Sequence, residues 1–147
     1  MNHNATMNIE IILLNQKSKI PSKSSNDDAG YDLYCHEEYF IKPMERCLVK
    51  TGVAMSIPSG YYGHISDRSG MALKKGAHCL GKIVDSSYRG EVGVIILNTD
   101  MYETLKIQSG DRVAQIIFKK YETVNFIEKK SLNQTERSHS GYGSSGE

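Results

Sequence analysis

The chain has 147 residues, of which 39% are hydrophobic and 24% are charged, and its formal net charge is +1. This length is enough for one domain with a single core, and the composition is that of an ordinary globular protein. Because the net charge is so small, a general electrostatic attraction to nucleic acid or to an anionic membrane is excluded, and we expect neither as a partner. A phosphate ligand would have to be bound by a few well-placed cations.

The N-terminus and the cysteines bear on the compartment. Residues 1–8 lack the basic and apolar regions of a signal peptide and are predicted to be a disordered or variable N-terminus. Cys35, Cys47 and Cys79 are an odd number at wide spacing, which favours reduced thiols over a disulfide framework. We therefore expect the cytoplasm, or the host cytosol or nucleus if the protein is viral.

Short runs of β-branched and aromatic residues, separated by Gly, Pro, Ser and Asp, recur along the chain. They predict an all-β domain over residues 9–130, with turns at 58–60 and 109–111. At most one short helix is expected, at residues 71–75, because Met, Ala, Leu and Lys favour it. The predicted strand runs are residues 9–14, 39–41, 47–57, 61–66, 91–98, 112–121 and 124–127.

Two polar stretches do not fit this strand pattern. Residues 22–28 are small and polar, and they are predicted to be an exposed loop that leads into residues 29–33. Residues 131–147 contain almost nothing apolar and cannot bury enough surface to fold alone. We predict that this last stretch is a flexible C-terminal arm.

The first candidate site is the segment from Asp67 to Gly70. Arg68 offers a guanidinium, Ser69 a hydroxyl and Gly70 an accessible backbone N–H, all of which suit phosphate oxygens. Taken alone, the same residues are more often only a turn with a solvated arginine. Further on, Gln115 alternates with apolar residues, so its side chain should point inward and need a hydrogen-bond partner.

A second candidate is the segment 81–91. Residues 83–84, a polar turn and residues 92–97 predict a β-hairpin. Asp85 could orient and deprotonate a water molecule there, or it could only nucleate the turn. Tyr88 could stack on a sugar or base, or it could pack on the surface. A structural ion pair between Asp111 and Arg112 is predicted to close the later turn.

Five segments, taken in sequence order, resemble the five motifs of the trimeric dUTPase family. The resemblance runs from about residue 9 to residue 146, and its third and fourth motifs are the most specific. It implies a distorted jelly-roll-like β-barrel or sandwich and a homotrimer with shared active sites. It also implies hydrolysis of dUTP to dUMP and pyrophosphate, which limits uracil in DNA and supplies dUMP for thymidylate synthesis. The matching segments are residues 29–33, 68–70, 84–90, 110–115 and the Gly/Ser-rich arm.

The resemblance assigns Asp85 as the general base that activates the water attacking the α-phosphorus. Tyr88 would lie against the deoxyribose and leave no space for a 2′-hydroxyl. Backbone groups near Gly81, Ile83 and Val84 would pair with the uracil edge. A wrong base would leave buried polar groups without partners, which is why backbone recognition is selective.

Two further groups of residues are implied to contact the nucleotide, with Mg²⁺ as cofactor. Mg²⁺ would bind phosphate oxygens and water without a direct protein ligand, and Asp32 would lie at most in its outer shell. The residues that would hold the phosphates are Arg68, Ser69, Gly70 and Gln115. The arm would close over the γ-phosphate and the uracil with Arg137, Tyr142, Gly143 and Ser144.

The chain departs from the family pattern at several positions. Asp67 replaces the usual Pro, and an acid there would oppose anion binding unless its side chain points away. Lys82 stands where Gly is frequent, and Ser138 and Ser140 stand in the arm where the family favours Gly. The two serines matter if the backbone there needs positive φ.

Two alternative functions are considered. A dCTP deaminase would share the fold and the nucleotide motifs, but it needs a glutamate on the strand after the hairpin, and residues 92–97 contain none. The second alternative is a nucleotide-sensing regulatory module, which would leave no sequence trace.

Overall fold

The computed structural model describes residues 6–143. Over this range the chain forms eleven strands and one helix, and every strand pair is antiparallel. The sheets have the orders β2-β11-β6-β8, β4-β9-β7, β1-β5 and β10-β3. The elements are β1 (Glu10–Leu13), β2 (Tyr31–Tyr34), β3 (Tyr39–Ile41), β4 (Arg46–Lys50), β5 (Val53–Ser56), β6 (Tyr61–Ser66), α1 (Ser69–Lys75), β7 (Ala77–Leu80), β8 (Ile83–Val84), β9 (Gly93–Asn98), β10 (Leu105–Ile107) and β11 (Arg112–Lys120).

The core is built from alternate residues of these strands. In β9, Val94 and Ile96 are buried while their neighbours are only half-buried, as period-two geometry requires. Each large apolar side chain that is fully buried contributes about 1.5–3 kcal/mol of transfer free energy. The all-β prediction is therefore confirmed over the described range. Other core side chains with almost no exposure are Leu33, Ile41, Val49, Ile107, Val113 and Ile116.

Two predicted boundaries change. The run 47–57 is divided into β4 and β5 because Gly52 turns the chain at φ 69°, and a side chain there would overlap Ser18 Oγ. The helix begins at Ser69, two residues before the predicted start, and it ends at Lys75 as predicted, capped by Gly76 with φ 63°. Ser69 and Gly70 therefore form the first turn of α1. Within residues 6–143, no helix is long and apolar enough to cross a membrane.

The predicted hairpin of residues 83–84 with 92–97 is wrong. β8 pairs with β6, through Gly63 with Val84 and His64 with Ile83. β9 instead pairs with β4 on one side and β7 on the other. Both edges of β9 are thus occupied, so residues 85–92 connect two different sheets.

We give the name arm to all residues after β11, which include the stretch 131–147 predicted above. Residues 121–143 form neither helix nor strand, so the strand predicted at 124–127 is wrong in this chain. Phe126 is 95% exposed and Ile127 is 76% exposed, because nothing in the described chain covers them. Most of the predicted variable N-terminus, residues 1–5, lies outside the described range, as do residues 144–147.

Candidate functional site

A cavity of about 290 Å³ lies where β2, the start of α1 and β11 meet. It brings together residues that are far apart in sequence. Seven of the residues that line it belong to the segments singled out above: Ala29, Gly30, Asp32, Arg68, Ser69, Gly70 and Gln115. We call this space the phosphate cavity, because its polar groups suit an anion.

Arg68 is held in place by Asp32. Its Nε donates to Asp32 Oδ1 at 2.9 Å, and the other carboxylate oxygen lies 3.8 Å from Arg112 Nη1. A charge-assisted bond of this length fixes the guanidinium more firmly than a neutral one would. The ion pair predicted between Asp111 and Arg112 is wrong, because the Asp111 carboxylate closes its turn by accepting from the Gln108 backbone N–H at 2.9 Å.

Gln115 behaves as its alternation predicted. The side chain is half-buried, and its Nε2 donates to the backbone carbonyl of Asp67 at 2.8 Å. On its other side it packs against Gly30, where any side chain would overlap Gln115 Oε1. Gln115 thus connects β11 to the chain just before Arg68 and requires a glycine immediately before β2.

Asp67 points away from the phosphate cavity. Its Oδ1 accepts from the Cys79 backbone N–H at 2.6 Å, and its Oδ2 lies 2.7 Å from His78 Nδ1. Burial pushes the pKa of Asp67 upward, but these bonds outweigh it and hold the pKa below its usual value. Burial and the nearby Asp67 also raise the pKa of Cys79 to about 12. The acid therefore anchors the Arg68 segment to β7 without opposing an anion.

A second cavity, of about 250 Å³, lies beside β8. It contains all the residues that the third motif assigned to base, sugar and catalysis, and we call it the base cavity. Asp85 accepts the Tyr88 backbone N–H through its carbonyl at 3.1 Å, which forms the turn. Within the described chain its exposed carboxylate accepts no hydrogen bond, so it is available to a ligand. The lining includes Gly81, Ile83, Val84, Asp85 and Tyr88.

Lys82 lines neither cavity; its backbone carbonyl accepts from the Ile65 N–H at 2.8 Å, so the residue supports β6. The positive charge of Lys82 acts on His64 instead. Burial, followed by the charges of Lys119 and Lys82, lowers the pKa of His64. The departure at this position therefore leaves the base cavity unobstructed.

Sequence reasoning missed two residues beside these cavities. Lys23 lines the phosphate cavity, although it lay in a segment predicted only to be an exposed loop. Tyr121 and Asp85 share a further cavity of about 400 Å³. Hydrogen bonds from the Ser86 hydroxyl and the Gly60 backbone N–H lower the pKa of Tyr121. Lys23 could have been found in the sequence as a cation close before the first motif. No sequence signal pointed to Tyr121.

The described residues of the arm, which end at Gly143, line neither cavity. Arg137 Nε donates to the Ser140 carbonyl at 2.9 Å, and Tyr142 is fully exposed. Ser138 has φ 45°, a conformation in which glycine is less strained, so a serine in place of Gly strains the backbone at this position. Gly143 adopts φ 87°, and Ser144 lies outside the described residues. In the described part of a single chain, the motif residues therefore lie in three separate places: the phosphate cavity, the base cavity and the arm.

Comparison with known proteins decides the family. A family model described as dUTPase matches residues 16–146, which is most of the chain. The chain belongs to the dUTPase family. It is 42% identical over 138 residues to the deoxyuridine 5′-triphosphate nucleotidohydrolase of Swinepox virus, covering 94% of this chain and 96% of that protein. Identity to the protein of the same name from Fowlpox virus is 40% over 141 residues, 94% of this chain and 97% of the relative.

Solved dUTPase structures share the fold. A variant of the Staphylococcus bacteriophage 80alpha dUTPase, solved with dUpNHpp, gives a TM-score of 0.88 at 27% identity, covering 96% of this chain and 99% of that one. A variant from phage phi11, described with a structural Mg(II) ion, gives 0.80 at 26% identity over 85% and 98% of the two chains. The jelly-roll-like all-β prediction is confirmed.

Proposed function

We propose that the chain hydrolyses dUTP to dUMP and pyrophosphate at sites shared between the copies of a homotrimer. The observation that carries this proposal is the division of one motif set into two cavities and an arm within a chain of the dUTPase family. Each part has the chemistry for one part of the substrate. A relative with the same fold was solved with dUpNHpp, which supports a nucleotide as the ligand.

The phosphate cavity would bind the triphosphate. Arg68 is held by Asp32 and can present its remaining N–H groups to phosphate oxygens. Ser69 adds a hydroxyl, and Gly70 has open space where a side chain would be, so an anion can approach the backbone closely. Gln115 keeps the Arg68 segment in position through the Asp67 carbonyl.

The base cavity would bind the nucleoside and perform the proton transfer. Backbone groups of Gly81, Ile83 and Val84 would pair with uracil, and Tyr88 would lie against the deoxyribose. The Tyr88 hydroxyl donates to the Glu91 carbonyl at 2.9 Å, which fixes the ring beside Asp85. The Asp85 carboxylate would take a proton from the attacking water as it approaches the α-phosphorus. Pyrophosphate would then leave with the bonding electrons.

Magnesium fits this chemistry only as an ion carried by the substrate. Residues 6–143 contain no group of three or more His, Cys, Asp or Glu placed to hold a metal. The carboxylate of Asp32 is already directed at Arg68 and Arg112. We therefore propose that Mg²⁺ binds phosphate oxygens and water, with Asp32 at most in its outer shell, where it would neutralise charge on the triphosphate.

The homotrimer is supported by the arm. Val124, Phe126 and Ile127 are exposed apolar side chains on a segment that lacks strand pairing, and such a surface is typical of an interaction site. The arm of one copy would cross to another and bring Arg137, Tyr142, Gly143 and Ser144 over its cavities.

The proposed cellular role is to limit uracil in DNA and to supply dUMP for thymidylate synthesis. The three cysteines are free in the structure, in agreement with a reducing compartment. We propose the cytoplasm, or the host cytosol or nucleus in the case of a virus; the relatives named above are poxvirus proteins.

The direct test uses purified protein, Mg²⁺ and one of dUTP, dCTP, dTTP or UTP at a time. We expect pyrophosphate from dUTP alone, because the methyl group of thymine and the 2′-hydroxyl of UTP would not fit the base cavity. Ammonia from dCTP would indicate the deaminase, which is disfavoured because β9 carries no acidic residue. Tight dUTP binding without turnover would indicate a sensing module instead and overturn the proposal.

The second test replaces Asp85 with Asn. The amide keeps the shape but cannot accept the proton, so kcat should fall by a factor of about 10²–10⁴. The dissociation constant for dUpNHpp should change little, because the variant keeps the hydrogen-bonding shape of the side chain. A variant that turns over at the normal rate would show that Asp85 is not the base.

A further inference from the structure

Lys23 lies in the wall of the phosphate cavity, and none of the five motifs includes it. It precedes the first motif, in the loop between β1 and β2, and lines the cavity together with Arg68, Ser69 and Gly70. The residue is half-buried, although the surrounding loop is mostly exposed. Lys23 therefore adds a positive charge beside three residues that suit an anion.

The ammonium group of Lys23 is held in position by its own loop. It donates to the backbone carbonyl of Asn26 at 2.8 Å and to that of Asp28 at 3.1 Å. It also lies 5.0 Å from the centre of the Tyr31 ring, within the range of a cation–π contact. A lysine restrained in this way loses less side-chain entropy when it binds a ligand than a free surface lysine does.

The charge of Lys23 is not neutralised by these contacts. Carbonyl oxygens and an aromatic ring carry no net charge, and no carboxylate oxygen of the described residues lies within ion-pair distance of its Nζ. Asp28 also lines the phosphate cavity, and its carboxylate accepts from the Ser25 backbone N–H at 3.0 Å. Arg68 is different, because Asp32 lies 2.9 Å from its guanidinium and offsets much of its charge.

We infer that Lys23 is a second cation of the phosphate cavity and that it binds the polyphosphate part of the nucleotide. The inference rests on the proposed function and adds a residue to it. A triphosphate carries more negative charge than one half-neutralised arginine can match, whereas Lys23 adds a second cation to the lining of the same cavity. The loop of residues 22–28 is thus part of the binding site and not merely a connection.

The structure supplies a matched control. Lys19 lies 5.1 Å from the centre of the Tyr34 ring, on the same strand as Tyr31, but it does not line the phosphate cavity. The same substitution at the two lysines therefore removes the same charge and the same kind of aromatic contact. Only at Lys23 should it affect phosphate binding.

The first experiment measures calorimetric dissociation constants for dUpNHpp, dUMP and inorganic triphosphate with wild type, Lys23→Gln, Lys23→Arg and Lys19→Gln. We expect Lys23→Gln to weaken dUpNHpp and triphosphate binding about tenfold, the usual loss for one charge-assisted bond. Binding of dUMP should change much less. Lys23→Arg should retain most of the affinity and Lys19→Gln all of it. Unchanged triphosphate binding by Lys23→Gln would overturn the inference, as would an equal loss of dUMP, which would indicate a collapsed loop.

The second experiment uses the unaltered protein. Reductive methylation followed by peptide mass spectrometry would compare Lys23 with Lys19, with and without dUpNHpp. We expect the ligand to protect Lys23 severalfold and Lys19 not at all; equal modification in both states would refute the role of Lys23. Wild type that hydrolyses dUTP while Lys23 proves irrelevant would overturn this inference alone. Wild type that neither binds dUpNHpp nor hydrolyses dUTP would overturn the proposed function as well.

Discussion

The β domain and the described part of the C-terminal arm differ in how they bury apolar side chains and pair their backbone. In the domain, Val49, Ile96 and Ile116 are completely buried, and the strands pair with one another. In the arm, residues 121–143 form no strand, and Phe126 exposes nearly all of its surface. The domain therefore stabilises itself, whereas nothing in the described part of the chain covers the apolar side chains of the arm. The same division runs through the site, because both cavities belong to the domain and the arm, as far as Gly143, lines neither.

The largest expected effect compares a core side chain with an arm side chain of similar apolar character. Ile116→Ala should lower the free energy of unfolding by about 3 kcal/mol, because it leaves a cavity in the core. Phe126→Ala removes a larger side chain, yet it should change unfolding only to the extent that copies associate. Urea unfolding at two protein concentrations separates the two cases. A large, concentration-independent loss for Phe126→Ala would show that the arm packs on its own domain.

Removing the last residues of the arm tests whether they serve the site or the fold. Truncation after Glu136 should lower kcat/KM for dUTP about hundredfold, the typical effect of losing a group that stabilises the transition state. The trimer should survive, because residues 137–147 contribute almost nothing apolar. Arg137→Gln is the matched variant that removes only the charge. Sedimentation and steady-state kinetics provide the measurements, and full activity of the truncated chain would contradict the shared site.

Asp67 should affect the domain by a smaller amount. Asp67→Ala leaves the Cys79 N–H without its acceptor and should cost about 1–3 kcal/mol of stability. Because the anchor next to Arg68 is lost, KM for dUTP should rise more than kcat falls. Asp67→Asn keeps the acceptor oxygen and should have a milder effect. Equal effects of the two variants would show that Asp67 acts through its charge and not through the acceptor oxygen.

The pH dependence of Asp67 has a definite sign. Its folded pKa is lower than its usual value of 3.8, so its ionised form contributes stability above pH 3.8. That contribution is lost as the pH falls through the folded pKa. In acid titrations below pH 3.8, wild type should therefore lose stability more steeply than Asp67→Asn.

The smallest expected effect concerns His64. Its folded pKa is lowered from 6.5, so the unfolded chain binds the proton more readily. Stability is therefore complete above pH 6.5 and decreases as the pH falls toward the folded pKa. The midpoint of thermal unfolding between pH 7 and 5 should fall slightly more in wild type than in His64→Gln. Parallel profiles would show that this ring does not contribute.

Much of the domain could be predicted because strand formation depends on local alternation. The runs 61–66 and 112–121 agree with β6 and β11 to within one residue, and Gln115 found the interior partner that its position required. The run 124–127 has a similar composition but no partner strand among residues 6–143, and a strand without backbone pairing does not form. Composition alone does not distinguish the two situations.

The partner of each strand and the direction of each polar side chain were decided by the tertiary structure. Nothing local indicates that β8 pairs with β6, because that pairing depends on β4 and β7 occupying both edges of β9. Asp67 was expected to oppose phosphate binding unless it turned away, and it turned because His78 and Cys79 offered hydrogen bonds on the other side.

The sequence by itself determined the all-β class, the order of the five motifs and the residues that we propose to carry the chemistry, because alternation and motif spacing are properties of the linear chain. Only the tertiary structure separated the phosphate cavity from the base cavity and placed Lys23 beside Arg68. Contacts between residues distant in sequence form only when the whole core is packed, since the closure of each loop must be offset by burial elsewhere.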